Sequence, residues 1–142
     1  MATQTDQKLE LLKRAPLLAG LGRREIEEVG RLVEEIDVPA GQVLMREGET
    51  GREFFVLVEG SVAIERGGSP VRTMAPGDFF GEIALLAEGP RTATATTEAA
   101  SKVLVLGHRE FHSLMDQFPA IRMCVLEALA ARLRDLAPDA TH

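Results

Sequence analysis

Glu82 and Arg91 are the side chains whose types and setting most clearly suggest chemistry. They lie in Gly81-Glu82-Ile83-Ala84-Leu85-Leu86-Ala87-Glu88-Gly89-Pro90-Arg91-Thr92-Ala93-Thr94. Glu82 is ionised at neutral pH and can only accept hydrogen bonds. Arg91 stays cationic and can grip a phosphate with two N–H groups. Gly81 lets the backbone approach a ligand closely. Residues 82–87 read as a helical turn, whose first amides would be unpaired and would favour an anion. Thr92 adds a hydroxyl beside Arg91. A ligand with a sugar hydroxyl and a phosphate would satisfy both charges. An ordinary surface ion pair between them, worth roughly 0–1 kcal/mol, is the plainer alternative.

The elements that would position these groups change in character along the chain. Residues 5–14 carry Leu9, Leu11 and Leu12 among charges and suit a short helix before Pro16. Residues 23–33 place Ile26, Val29, Leu32 and Val33 at helical spacing, with Glu25, Glu27 and Glu28 in the early turns. From Ile36 the pattern becomes strand-like. Val43–Met45, the apolar run 54–58, Ser61–Glu65 and Val71–Met74 read as short strands. The run 54–58 suits a strand covered on both faces. Gly67-Gly68 signals a hairpin. Thr92–Thr97 and Lys102–Leu106 are further strands. Helices return at 108–116 and 119–136, the second with a stripe of Ile121, Val125, Leu126, Leu129, Leu133 and Leu136. Short antiparallel strands between turns suggest a closed or nearly closed barrel.

The bulk numbers set limits. The chain has 142 residues with a net charge of −6, and 45% of its residues are hydrophobic. That suits one domain and argues against non-specific nucleic-acid binding. No apolar run approaches the roughly 20 residues of a membrane span, and residues 1–8 lack a signal-peptide core. A cytoplasmic protein is expected. Cys124, the single cysteine, lies in an apolar helical run and reads as a small buried hydrophobe. His108 and His112 are four apart on an expected helix, but no third metal ligand accompanies them and His142 is remote. No metal site and no catalytic group is expected; neither a nucleophile–base pair nor a nucleoside-triphosphatase phosphate loop is legible.

The segment from Gly81 to Leu86 followed by Pro90 to Thr94 resembles the phosphate-binding cassette of cyclic-nucleotide-binding domains. These are the cAMP and cGMP receptor modules of bacterial regulators, cyclic-nucleotide-dependent kinases and gated channels. Further pieces match in order: Pro39-Ala40-Gly41, Gly48-Glu49, the run 54–58 before Glu59-Gly60, and Pro76-Gly77-Asp78-Phe79-Phe80-Gly81. The resemblance covers roughly residues 15–136. It implies an α+β, mainly β fold: an antiparallel β-roll of the double-stranded β-helix or jelly-roll type, flanked by N-terminal and C-terminal helices. The expected division is a helical segment 1–14, the domain 15–136 with its roll at about 36–107 and helices at 108–136, and a tail 137–142.

The resemblance also implies roles. Glu82 would receive the ribose 2′-hydroxyl and Arg91 would neutralise the cyclic phosphate. Amides near Ile83, Ala84 and Thr92 would add phosphate hydrogen bonds, and Gly81 and Ala93 complete the ligand-binding set. Val71, Phe79 and Phe80 are candidates for the base-side wall or for core. Arg132, Leu133, Arg134 and Leu136 are candidates for a lid from the last helix. The expected ligand is cAMP ahead of cGMP, although Thr following the arginine is common in members that bind cGMP well. No helix-turn-helix, kinase or channel portion is legible. Either the output lies in a separate partner, with Met1 and the polar tail reading as a complete short protein that signals through an effector or a homodimer of the last helix, or the chain is a fragment of something longer. An interaction module of the same fold that binds no nucleotide is the alternative.

Overall fold

The computed structural model describes residues 9, 10, 12, 13, 15, 18, 21–82 and 89–136, with the backbone alone at 133, 135 and 136. The first described helix, α1 (Arg23–Leu32), begins after Gly22, whose N–H donates to the Glu25 carboxylate at 3.0 Å. Eight strands follow: β1 (Glu34–Val38), β2 (Val43–Met45), β3 (Glu53–Glu59), β4 (Val62–Arg66), β5 (Ser69–Met74), β6 (Phe79–Phe80), β7 (Thr94–Thr97) and β8 (Ser101–Gly107). Two helices complete the described chain, α2 (His108–Gln117) and α3 (Pro119–Leu136). Proline at the start of α3 has no amide to leave unpaired.

The strands form two antiparallel four-stranded sheets, in the orders β1-β8-β3-β6 and β2-β7-β4-β5. This is the expected β-roll with flanking helices. The hairpin β4–β5 pairs Arg66 with Ser69 across Gly67 and Gly68, both at positive φ (59° and 81°). Two consecutive left-handed residues match the twist of the flanking strands, and glycine adopts them without steric cost.

Alternation along β3 divides the interior in two. Phe54, Val56 and Val58 belong to a core shared with the helices, where they meet Phe79, Phe111 and Ile121. Phe55 and Leu57 point to the inside of the roll, with Val62, Ile64, Phe80 and Val103. A strand buried on both faces must be apolar at every position, which explains the unbroken run at 54–58. Phe54 lies 4.7 Å from Phe111 and 5.4 Å from Phe79, centroid to centroid. Such aromatic pairs add about 0.5–1.5 kcal/mol each beyond the area they bury.

The first strand begins at Glu34, two residues before the expected start of the roll. Its residues 34–37 are exposed and only Val38 is buried, so it carries little hydrophobic signal. The helix expected at 5–14 lies mostly outside the described residues, although Leu9 and Leu12 are buried in the helix-side core. Cys124 is partly buried against that core, and burial pushes its thiol pKa up. Among the described residues no helix is long and apolar enough to cross a membrane.

Candidate ligand site

Arg91 is only 4% exposed, in a loop leading to β7. Its backbone is pinned first: its N–H donates to Glu49 O, and its carbonyl accepts from Gly48 N, each at 2.9 Å. Its side chain then turns inward. Nη1 donates to Gly81 O at 3.0 Å and Nη2 to Glu53 O at 2.8 Å. Two glycines make this path open. A Cβ on Gly51 would stand 1.7 Å from Arg91 Nε. Gly81 sits at φ +97°, and a Cβ there would meet Glu53 O at 2.9 Å and Arg91 Nη1 at 3.0 Å. Burial pulls the guanidinium pKa below its ordinary value, while the carboxylates of Glu53 and then Glu82 push it back.

Glu82 follows Gly81 and is fully buried. Its Oε1 accepts a hydrogen bond from Nη1 of Arg132, near the end of α3. Its Oε2 is buried with no hydrogen-bond partner among the described residues. Arg132 also donates through Nη2 to Phe79 O, and its guanidinium lies 5.0 Å from the Phe79 ring centroid. The last helix is thereby tied to the carboxylate and to the strand before it.

Both charged groups line one pocket. It is partly open to solvent. Four arginines and one glutamate line it among the described residues: Arg66, Arg72, Arg91 and Arg132 against Glu82. In a chain of net charge −6, this local excess of positive charge favours an anion. The remaining wall is largely apolar, with Ile64, Val71, Met74 and Phe80. Charge on one side and apolar surface on the other suit a phosphate joined to a flat ring.

The expected site residues fall into groups. Gly81, Glu82, Arg91, Thr92 and Ala93 come together at the pocket, as do Val71, Phe80 and Arg132. Phe80 also stacks on Phe55, with ring centroids 5.0 Å apart. Phe79 belongs to the helix-side core, not to the lining. Arg134 is exposed. Ile83 and Ala84, with the rest of the expected turn 82–87, lie outside the described residues, as do the side chains of Leu133 and Leu136. Arg66 and Arg72 also line the pocket, and Gly51 makes room for Arg91, although none of the three is among the expected site residues. Arg66 Nε donates to Thr92 O at 3.0 Å. The signal for the two arginines was their place on either side of the glycine hairpin; Gly51 looked like any other loop glycine. Among the described residues no group of three or more His, Cys, Asp or Glu could hold a metal ion.

Roll, flanking helices and a pocket holding the buried Glu82 and Arg91 define the class of fold. Residues 35–118 match the family described as Cyclic nucleotide-binding domain, and the chain belongs to that family. It is 37% identical over 112 residues to a cAMP-dependent protein kinase regulatory subunit of Neurospora crassa, covering 78% of this chain and 29% of the relative. It is 31% identical over 130 residues to a CRP-like cAMP-activated global transcriptional regulator of Mycobacterium tuberculosis, covering 88% and 58%. Among solved structures, the regulatory domain of Toxoplasma gondii PKA with cAMP aligns with a TM-score of 0.79 at 27% identity, covering 89% of this chain and 50% of that one. The chain therefore spans less than two thirds of the length of each.

Proposed function

We propose that this chain is a cyclic-nucleotide receptor module, with cAMP preferred, which regulates a partner and carries out no catalysis of its own. In this reading Arg91 meets the cyclic phosphate and Glu82 accepts the ribose 2′-hydroxyl, with Thr92 and Ala93 beside the phosphate. The observation that carries the reading is the pair of buried opposite charges on one pocket, with one carboxylate oxygen that has no partner among the described residues. A relative described as cAMP-activated and a structural neighbour solved with cAMP support it. Ligand binding shifts α2 and α3 between orientations, and the shift can be no larger than the difference in affinity between them. The exposed Met123 and Leu126 on α3 offer an apolar face to a cytoplasmic effector or to a second copy.

Calorimetric titration with cAMP, cGMP and 5′-AMP tests this reading. Saturable binding of a cyclic nucleotide is expected, with 5′-AMP far weaker. Arg91→Ala removes a charge-assisted contact of about 1.5–3 kcal/mol, so affinity should fall roughly tenfold to 150-fold. Unchanged affinity in that variant would remove Arg91 from the phosphate site.

One observation favours a second reading. Arg91 already spends two donors on the carbonyls of Gly81 and Glu53, as a purely structural strut would. On that reading the chain is a protein-interaction module that binds no nucleotide. Absence of thermal stabilisation by cAMP and by cGMP would favour it.

A further inference from the structure

Thr92 and Ala93 follow Arg91 on the pocket wall, and the two peptide planes that join these three residues are held by different parts of the chain. The Arg91 carbonyl accepts from Gly48 N at 2.9 Å. The Thr92 carbonyl accepts from Arg66 Nε at 3.0 Å. A trans peptide is planar, so a carbonyl fixed on one side sends the next N–H to the other. The amides of Thr92 and Ala93 are thereby fixed in direction. Arg66 ends β4, at the β4–β5 turn, and that turn is anchored in its own right. The Glu47 carboxylate accepts from Gly67 N at 2.9 Å, while Glu47 N donates to Thr94 Oγ1 at 3.0 Å. Glu47 thus grips the hairpin with its side chain and the start of β7 with its backbone.

We propose that Glu47 is a positioning residue for the Arg91 end of the pocket: through Gly67 and Arg66 it holds the amides of Thr92 and Ala93 toward a bound phosphate. This role rests on the cyclic-nucleotide reading above and extends it to a carboxylate that is not among the residues lining the pocket. The charge of Glu47 makes the role separable from plain electrostatics. A carboxylate near an anion site repels the anion, so its removal alone should tighten binding. A positioning role has the opposite sign, because the hairpin loses its anchor and the Thr92 carbonyl its fixed donor. The acceptor matters in this role and the charge does not, so a glutamine at position 47 should serve nearly as well as the glutamate.

The test uses the whole chain, titrated by calorimetry with cAMP. In Glu47→Ala the affinity should fall about threefold to tenfold, and in Glu47→Gln it should stay within about twofold of wild type. Unchanged or tighter binding in Glu47→Ala would overturn the proposal, since charge alone would then account for the residue. Equal falls in both variants would overturn it as well. A second comparison asks whether the effect passes through the Arg91 end. In an Arg91→Ala background, adding Glu47→Ala should change the affinity by less than about twofold, because coupled sites are not additive. The same fall in both backgrounds would make Glu47 merely structural. A measurement without ligand separates this idea from the receptor reading. Amide exchange at Thr92, Ala93 and Thr94 should be faster in Glu47→Ala than in wild type and unchanged in α2; equal exchange at all of them would show that no anchor exists. Should wild type bind no cAMP, the receptor reading fails and the positioning role fails with it, while exchange still decides the anchor.

Discussion

The two charged ends of the pocket are held by different parts of the molecule. Arg91 is fastened within the roll, by the carbonyls of Gly81 and Glu53 and by the backbone of Gly48 and Glu49. Glu82 is fastened to α3, through Arg132. The Arg91 end is thus held within the roll, whereas the Glu82 end is shared with α3. On the reading proposed above, a ligand touching both ends would tie the roll to α3, which is how a small molecule can bias a two-state element.

The comparison breaks most severely at Gly51. A methyl group there would overlap the Arg91 guanidinium, and the flanking carbonyls leave the buried side chain little room to yield. Gly51→Ala should therefore displace Arg91, weakening cyclic-nucleotide binding as much as Arg91→Ala does, roughly tenfold to 150-fold. Overpacking should also cost about 1–3 kcal/mol of stability. Denaturant midpoints and titration measure both. Native affinity in Gly51→Ala would mean that the Arg91 end is softer than its hydrogen bonds imply.

The other end should answer to Phe79. Its ring lies under Arg132 and against Phe54. Phe79→Leu keeps an apolar side chain but removes the ring face. The loss should be about 0.5–2 kcal/mol for the cation–π contact, with about 0.5–1.5 kcal/mol more for the aromatic pair. Amide exchange should rise at the end of α3 and remain unchanged in β7. A uniform rise in both would show that the two ends are not separately held.

How visible these ends are in the sequence follows from the same division. The roll is legible because burial on two faces writes itself into composition: Phe54–Val58 cannot be anything but apolar. Gly67-Gly68 is legible because the hairpin demands two left-handed residues. Glu82 and Arg91 stand out because they are charged residues among small and apolar ones. The edge strand β1 is not legible, since Glu34–Asp37 are exposed and solvent imposes no alternation. The Arg132–Glu82 tie is not legible either. Its partners are far apart in sequence, and their meeting depends on where α3 crosses the roll, which no local pattern encodes. Gly51 is hidden for a similar reason, because the need for glycine comes from a side chain arriving from elsewhere.

The smallest expected effect sharpens the Arg91 end. Thr92 is exposed at the pocket, and its carbonyl is held by Arg66 Nε, so the backbone there should survive loss of the hydroxyl. If the threonine hydroxyl reaches the amino group of guanine, Thr92→Ala removes one neutral hydrogen bond, worth about 0.5–1.5 kcal/mol. The cGMP affinity should then fall roughly twofold to tenfold, while the cAMP affinity stays within about twofold because adenine has no amino group at that position. Parallel titrations of the two nucleotides make the measurement. A matched fall for both would place the hydroxyl on the phosphate, and would add a further donor to the end of the pocket that the roll already holds rigid.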